Sequence, residues 1–167
     1  MLMKKLSFLL FFILLSACNS NEISTTTYYL IRHAEKDRTV QTNSNPDLNS
    51  QGLLRADNWA KYFDSIALDA VYSSNYKRTL QTATPTAVKK GVAVQVYDTN
   101  RMYDALFQKA TLGKTVLIVG HSNTTPAFVN LILAQEKYQS MNDNDNSSVY
   151  IVTIKGAKKI SQILRVP

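Results

Sequence analysis

The chain has 167 residues, 19 lysines and arginines against 12 aspartates and glutamates, a formal charge of +7, and a single cysteine. That length suits one domain with a sizeable core, and one thiol excludes an internal disulfide, so the core alone must hold the fold. The basic residues are scattered apart from a short cluster of Lys155, Lys158 and Lys159, which argues against a nucleic-acid-binding protein and is compatible with anionic ligands.

The first element is a leader. Lys4 and Lys5 precede a nearly unbroken apolar run, Leu6 to Leu15, and small residues follow. This is the layout of a secretory signal peptide; the run is about ten residues, half of the roughly twenty that a spanning helix needs. Leu15-Ser16-Ala17-Cys18 resembles the bacterial lipobox, which implies cleavage before Cys18 and lipidation of its thiol. The plainer alternative is an ordinary cleaved signal that happens to contain a cysteine. The expected organisation is a signal peptide over 1–17, a polar tether over 18–25 and one domain over 26–167. The expected location is outside the cytoplasm, with the membrane reached through the lipid on Cys18. Asn19, rather than the Asp associated with inner-membrane retention, favours the outer membrane if the source is Gram-negative.

Thr26 to Ile31 is short, β-branched and aromatic and reads as a strand. Asn43 to Asn49 reads as loop. A helix begins at Asn49 or Ser50, with Leu53, Ala56, Ala60 and Phe63 on its inner face. Ala70 to Ser73 is a second strand. Asn75 or Ser74 caps a helix through Lys90, with Leu80, Ala83, Ala87 and Val88 inward. Val92 to Tyr97 is a third strand and Met102 to Thr111 a helix. Thr115 to Val119 is apolar enough for a strand buried on both faces. A helix from about Thr125 to Leu133 places Pro126 in its first turn. Val149 to Ile154 and Lys159 to Val166 form a closing pair turned near Gly156. The alternation predicts an α/β domain: a three-layer α/β/α sandwich whose central sheet is mostly parallel with an antiparallel edge.

Ligands of such sheets bind beyond the carboxyl ends of the strands. The two histidines of the chain, His33 and His121, each directly follow a predicted strand, so both are expected at one edge of the sheet. Arg32 precedes His33, and Arg78 opens the helix after the second strand. Guanidinium groups make planar, charge-assisted bonds to phosphate oxygens. Ser122 to Thr125 leads into a helix whose free N–H groups favour an anion. Together these describe a phosphate pocket. Two histidines without a convergent carboxylate set make a poor metal site, and no cofactor is expected.

Three ordered motifs carry a family resemblance: Leu30-Ile31-Arg32-His33-Ala34-Glu35-Lys36, Ser73 to Ala83 around Arg78, and Val119-Gly120-His121-Ser122-Asn123. The chain resembles the histidine phosphatase superfamily, the branch that includes cofactor-dependent phosphoglycerate mutases, over roughly Thr26 to Leu133. Its length resembles the small phosphohistidine phosphatases. The resemblance implies that His33 is a nucleophile that becomes phosphorylated, that Arg32, Arg78 and His121 hold the phosphoryl oxygens, and that Ser122 and Asn123 support the substrate. It also implies an acid after the third strand that protonates the leaving group. Both Asp104 and Asp98 stand in that segment; an alignment of Arg101 to Asp104 with the family pattern favours Asp104, and either residue could instead be a helix cap. Ala34 stands where the common motif has Gly. Glu35 is expected behind the site, and Lys36, Asp37 and Arg38 in solvated loop. Trp59 is expected in packing, and Asn142 to Ser148 only faintly resembles a calcium loop, without its glycine and terminal glutamate.

The expected activity is hydrolysis of phosphomonoesters, with a phosphorylated small molecule or glycan as partner. A mutase fits less well, because its sugar-acid phosphates are cytosolic. The alternatives are a protein phosphohistidine phosphatase and a non-catalytic surface module that binds phosphate or a phosphorylated glycan.

Overall fold

The computed structural model describes residues 24–166. The leader, Cys18 and most of the tether lie outside the described residues. The elements are β1 (Thr25–Arg32), α1 (Ser50–Tyr62), β2 (Ala70–Ser73), α2 (Lys77–Lys90), β3 (Val94–Val96), α3 (Ala105–Thr111), β4 (Thr115–Gly120), α4 (Thr124–Leu133), β5 (Ser148–Lys155) and β6 (Lys158–Arg165), with one 3-10 turn after α1. They form a single six-stranded sheet in the order β3-β2-β4-β1-β5-β6. The four strands from β3 to β1 are parallel, and β5 and β6 add an antiparallel edge. The expected architecture is the observed one. No helix of the described residues is long and apolar enough to cross a membrane.

The sheet has two apolar faces because successive strand residues alternate sides. Tyr28, Leu30, Val116, Ile118 and Val152 face Phe107 of α3 and Phe128, Val129 and Ile132 of α4. Ile31, Val71, Leu117, Val119 and Val149 face Trp59 and Phe63 at α1 and Ala83 and Ala87 of α2. The nearly solid apolar run of β4 is thus explained: it pairs on both edges and is covered on both faces.

Register does the positioning. In the parallel pairing of β1 with β4, Arg32 stands opposite Gly120, and the His33 amide donates to the Gly120 carbonyl (2.9 Å). In the pairing of β2 with β4, Ser73 stands opposite Val119, and the Ser74 amide donates to the Val119 carbonyl (3.2 Å). The carboxyl ends of β1, β2 and β4 therefore finish level.

Several local expectations shift. The inner face of α1 is Gly52, Ala56, Trp59 and Ala60, whereas Leu53 is 52% exposed. Helix α2 starts only at Lys77, and neither Ser74 nor Asn75 is its cap residue. The Ser74 hydroxyl instead contacts His121 and donates to the Thr79 hydroxyl (3.0 Å). The buried face of α2 is Thr79, Thr82, Ala83, Thr86 and Ala87; Val88 points to solvent. The heavy apolar residues suggested a face about one residue out of phase with the small ones that let α2 pack closely. Strand β3 shrinks to three residues, and α3 begins after Asp104 rather than at Met102.

One close approach ties α1 to the segment after His33. The Asn49 side chain caps α1 by accepting from the Gly52 amide (2.8 Å), and the Asn49 amide donates to the Glu35 carbonyl (3.0 Å). A Cβ on Gly52 would run into that same Glu35 backbone. Arg55 Nε then donates to both oxygens of Glu35 (2.7 and 2.9 Å). Gly52→Ala is expected to cost about 1–3 kcal/mol, the usual range for overpacking, read as a lowered urea midpoint at unchanged slope.

Candidate active site

Two adjoining depressions at the carboxyl ends of the strands share Arg32, His33, Lys36 and Asp143. The smaller, about 380 Å³, adds Arg78, His121, Ser122 and Asn123. The larger, about 540 Å³, runs over the loop from Glu35 to Thr39 towards Gln51 and Asn146. The structure thus brings together Arg32, His33, Arg78, His121, Ser122 and Asn123 in one pocket.

His33 is buried, and its Nδ1 lies 2.7 Å from the Ala34 carbonyl oxygen. A carbonyl only accepts, so Nδ1 must carry the proton and donate, and the lone pair of the neutral ring resides on Nε2. Burial pulls the pKa of His33 down to about 3, against the opposing pull of the Ala34 bond; the charges of Arg32, His121 and Arg78 lower it further. The ring is therefore unprotonated at neutral pH, with its Nε2 lone pair uncommitted. Its backbone is held from two sides: the His33 carbonyl accepts from Asn146 Nδ2 (2.7 Å), and the next amide, Ala34, donates to the Thr82 hydroxyl (2.9 Å).

The His121 ring lies 5.5 Å from that of His33, centroid to centroid. Arg78 Nη2 approaches His121 Nδ1 at 3.5 Å. A guanidinium only donates, so Nδ1 is on the accepting side and Nε2–H points to the Ser74 hydroxyl at 2.9 Å. Burial, then Arg78 and Arg32, bring the pKa of His121 down to about 4. Tyr76 packs edge-on against the His121 ring (4.9 Å) and beneath the Arg78 guanidinium (4.5 Å), fixing both.

The arginines are prepared as anion donors. Arg32 is only 2% exposed. Arg32 Nη1 donates to the Asn142 carbonyl (3.0 Å) and Nη2 to Asp143 Oδ1 (2.6 Å), whereas Arg32 Nε and Arg78 Nε are buried with no hydrogen-bond partner among the described residues. Unpaired buried donors are costly. Lys36 adds a third cation to the smaller depression.

The two acid candidates lie elsewhere. Asp104 caps α3 by accepting from the Phe107 amide (2.9 Å) and pairs with Arg101 (2.7 Å). The Phe107 bond above all holds its carboxyl below the ordinary range. Asp98 accepts from the Asn100 amide (2.8 Å) in a tight turn. Both line a separate depression with Tyr72 and Phe107 that contains neither histidine. The carboxylates of the segment after β3 serve a turn and a cap, and the structure does not bring Asp104 or Asp98 into the depression that holds the histidines. Lys36 and Arg38 are likewise not merely solvated loop: Lys36 lines the pocket, and Arg38 Nη2 donates to Asp143 Oδ2 (2.7 Å).

The sequence reading missed Asp143 and Asn146. Both come from the run Asn142 to Ser148, which coils back over the site by side-chain turns: Asn142 Oδ1 accepts from the Asn144 amide (2.9 Å), and Asp145 accepts from Ser147 and Ser148. Asx turns were the available signal. Among the described residues, no group of three or more His, Cys, Asp or Glu is placed to hold a metal ion.

Residues 28–102 match the model of the histidine phosphatase superfamily (branch 1). No curated protein sequence matches the chain. Among solved structures, a mycobacterial glucosyl-3-phosphoglycerate phosphatase is 13% identical, with 86% of this chain and 100% of that chain covered and a TM-score of 0.67. A phosphoglycerate mutase from Bacillus anthracis is 13% identical, covering 86% and 94%, with a TM-score of 0.65. SixA of Nakamurella multipartitia, described as a candidate phosphohistidine phosphatase, is 20% identical, covering 85% and 96%, with a TM-score of 0.56. The matched residues contain Arg32, His33 and Arg78, and the sheet brings in His121 from beyond them. The matched segment is similar to the histidine phosphatase superfamily, and the solved structures share the fold of the chain.

Proposed function

We propose that this protein is a phosphatase that cleaves phosphomonoesters through a phosphohistidine on His33. The observation that carries the reading is the tautomer of His33: its Nδ1 is tied to the Ala34 carbonyl, so Nε2 is free to attack, beside His121 and two arginines with unpaired buried Nε–H groups. In the first step the Nε2–P bond forms as the ester P–O bond breaks in line, and the alcohol leaves with a proton. Arg32, Arg78 and His121 spread the charge of the equatorial oxygens, which is the main catalytic contribution open to a protein in phosphoryl transfer. An arriving phosphate offsets the cations that depress His121 and favours protonating its Nδ1, turning it into a donor. Water then attacks phosphorus, the P–N bond breaks, and inorganic phosphate departs. The cycle as drawn needs no cofactor and no metal.

The position of the carboxylates narrows the substrate. Asp98 and Asp104 lie in another depression, and Asp143, which does reach the pocket, is held ionised chiefly by its bond to Arg38. A departing oxygen must then rely on its own acidity, on the proton of a phosphate monoanion, or on water. This favours activated phosphates, and it supports a protein phosphohistidine phosphatase as the second reading. The natural partner is a phosphorylated molecule or glycan, reached from the membrane through a lipid on Cys18. The signal-like residues 1–17 and the lipobox support that location.

Acid-labile, base-stable phosphate is expected on His33 when turnover is quenched. His33→Ala should lose that label and at least about 10³-fold in rate; label that persists, or moves to a serine, would contradict the mechanism. For the leaving group, nitrophenyl phosphate should be turned over about 10²- to 10⁴-fold faster than an alkyl phosphate, the span that a general acid normally supplies. Asp98→Asn and Asp104→Asn should change both substrates equally; a selective loss on the alkyl ester would restore that residue as the acid. In the full-length protein, Cys18→Ala should abolish fatty-acid labelling and leave the protein unprocessed or released from membranes, since stable anchoring takes more than one acyl chain.

A further inference from the structure

We propose that Asp143 is a resident competitor for the phosphate site: its carboxylate takes the Nη2 donor of Arg32 that a phosphoryl oxygen needs, and so sets how tightly the site holds substrate and product. The proposal rests on the phosphatase reading of the pocket. It begins with geometry. Asp143 Oδ1 accepts from Arg32 Nη2 at 2.6 Å, and Asp143 Oδ2 accepts from Arg38 Nη2 at 2.7 Å. A carboxylate and a phosphate present the same pair of acceptor oxygens to a guanidinium fork. Of the five N–H groups of Arg32, one on Nη1 goes to the Asn142 carbonyl and one on Nη2 to Asp143, so the carboxylate holds the outer corner of the fork while Nε has no partner among the described residues.

The loop that carries Asp143 is built against the site rather than hanging over it. The Met141 amide donates to the Ser122 carbonyl (2.8 Å), and Asn146 Nδ2 donates to the His33 carbonyl (2.7 Å). Between these two fixed points Asp143 is 61% exposed on its side chain, so the carboxylate can swing to solvent without disturbing either anchor. Arg38, 54% exposed, is the movable partner that would go with it or meet the incoming anion. Among the described residues, Asp143 is also the one carboxylate lining the smaller depression, beside Arg32, Lys36 and Arg78. It lowers the net positive charge that would otherwise hold inorganic phosphate after hydrolysis. A strongly cationic phosphate pocket is slow to release its product; an internal anion that re-pairs with Arg32 offers an exchange path. Asp143 thus acts through Arg32 and is a positioning residue.

The test is direct binding of inorganic phosphate by calorimetry, with steady-state kinetics on nitrophenyl phosphate, for the wild type, Asp143→Asn and Asp143→Glu. The expected result is about fivefold tighter phosphate binding in Asp143→Asn, the scale of one partly exposed charge pair. KM should fall in parallel and kcat stay level or fall as release slows, while Asp143→Glu, which keeps the anion, should stay near the wild type. Weaker phosphate binding in Asp143→Asn would overturn the proposal, because Asp143 would then merely orient Arg32. Unchanged binding would overturn it too, as would a lowered kcat with no change in affinity. If phosphate binds more tightly to Asp143→Asn but no protein turns over substrate, the competitor stands and the phosphatase reading fails. If none binds phosphate, both fail.

Discussion

The site depends on the pairing of two parallel strands. With Arg32 opposite Gly120, the residues that leave the sheet next are His33 and His121, and their rings meet at 5.5 Å. A one-residue slip would send the alternating side chains of β1 to the wrong faces. It would bury Tyr29 where Tyr28 and Leu30 now pack and would separate the imidazoles. The core that fixes this register therefore also positions His33. The glycine at the end of β4 keeps the crossing clear, since a side chain there would press on the Thr124, Thr125 and Tyr97 hydroxyls.

A pocket of this kind stores unfavourable electrostatics. Arg32 is almost fully buried, two imidazoles sit beside it unprotonated, and Arg78 and Lys36 add like charge. The protein offsets this with oriented dipoles and one anion. The Asn142 carbonyl and the Asp143 carboxylate face Arg32, and the Ala34 carbonyl fixes the His33 tautomer. The two arginine Nε–H groups are left buried without a partner among the described residues. Unpaired buried donors of this kind cost folding free energy.

Behind the pocket, the segment after His33 is gripped by two helices. Helix α1 presents Gly52 and Arg55 to Glu35, and α2 presents the Thr82 hydroxyl to the Ala34 amide. Small residues and threonines on these inner faces allow the close approach, and the hydroxyls of Thr79 and Thr82 are hydrogen-bonded, whereas that of Thr86 has no partner among the described residues. Thr82, for example, also donates to the Arg78 carbonyl one turn back (2.7 Å), which couples Arg78 to the loop after His33.

The strand and helix order, the parallel sheet with its antiparallel edge, and the convergence of Arg32, His33, Arg78 and His121 were legible in the sequence. Each rests on short-range chemistry: β-branched runs, helical spacing, and polar residues immediately after strands. The buried phases of α1 and α2 were not legible, because small residues and threonines carry the contact there while Leu53 and Val88 face water. Nor were the fates of Asp98 and Asp104, since a carboxylate near a strand end reads the same whether it caps a helix or faces a substrate. The role of Asp143 lay furthest from the sequence. It is 111 positions from Arg32, in a polar run without hydrophobic pattern. Sequence spacing determines which residues leave the strands together; only the folding back of a distant loop decides which carboxylate meets the buried arginine, because that contact is set by turn geometry and charge in three dimensions.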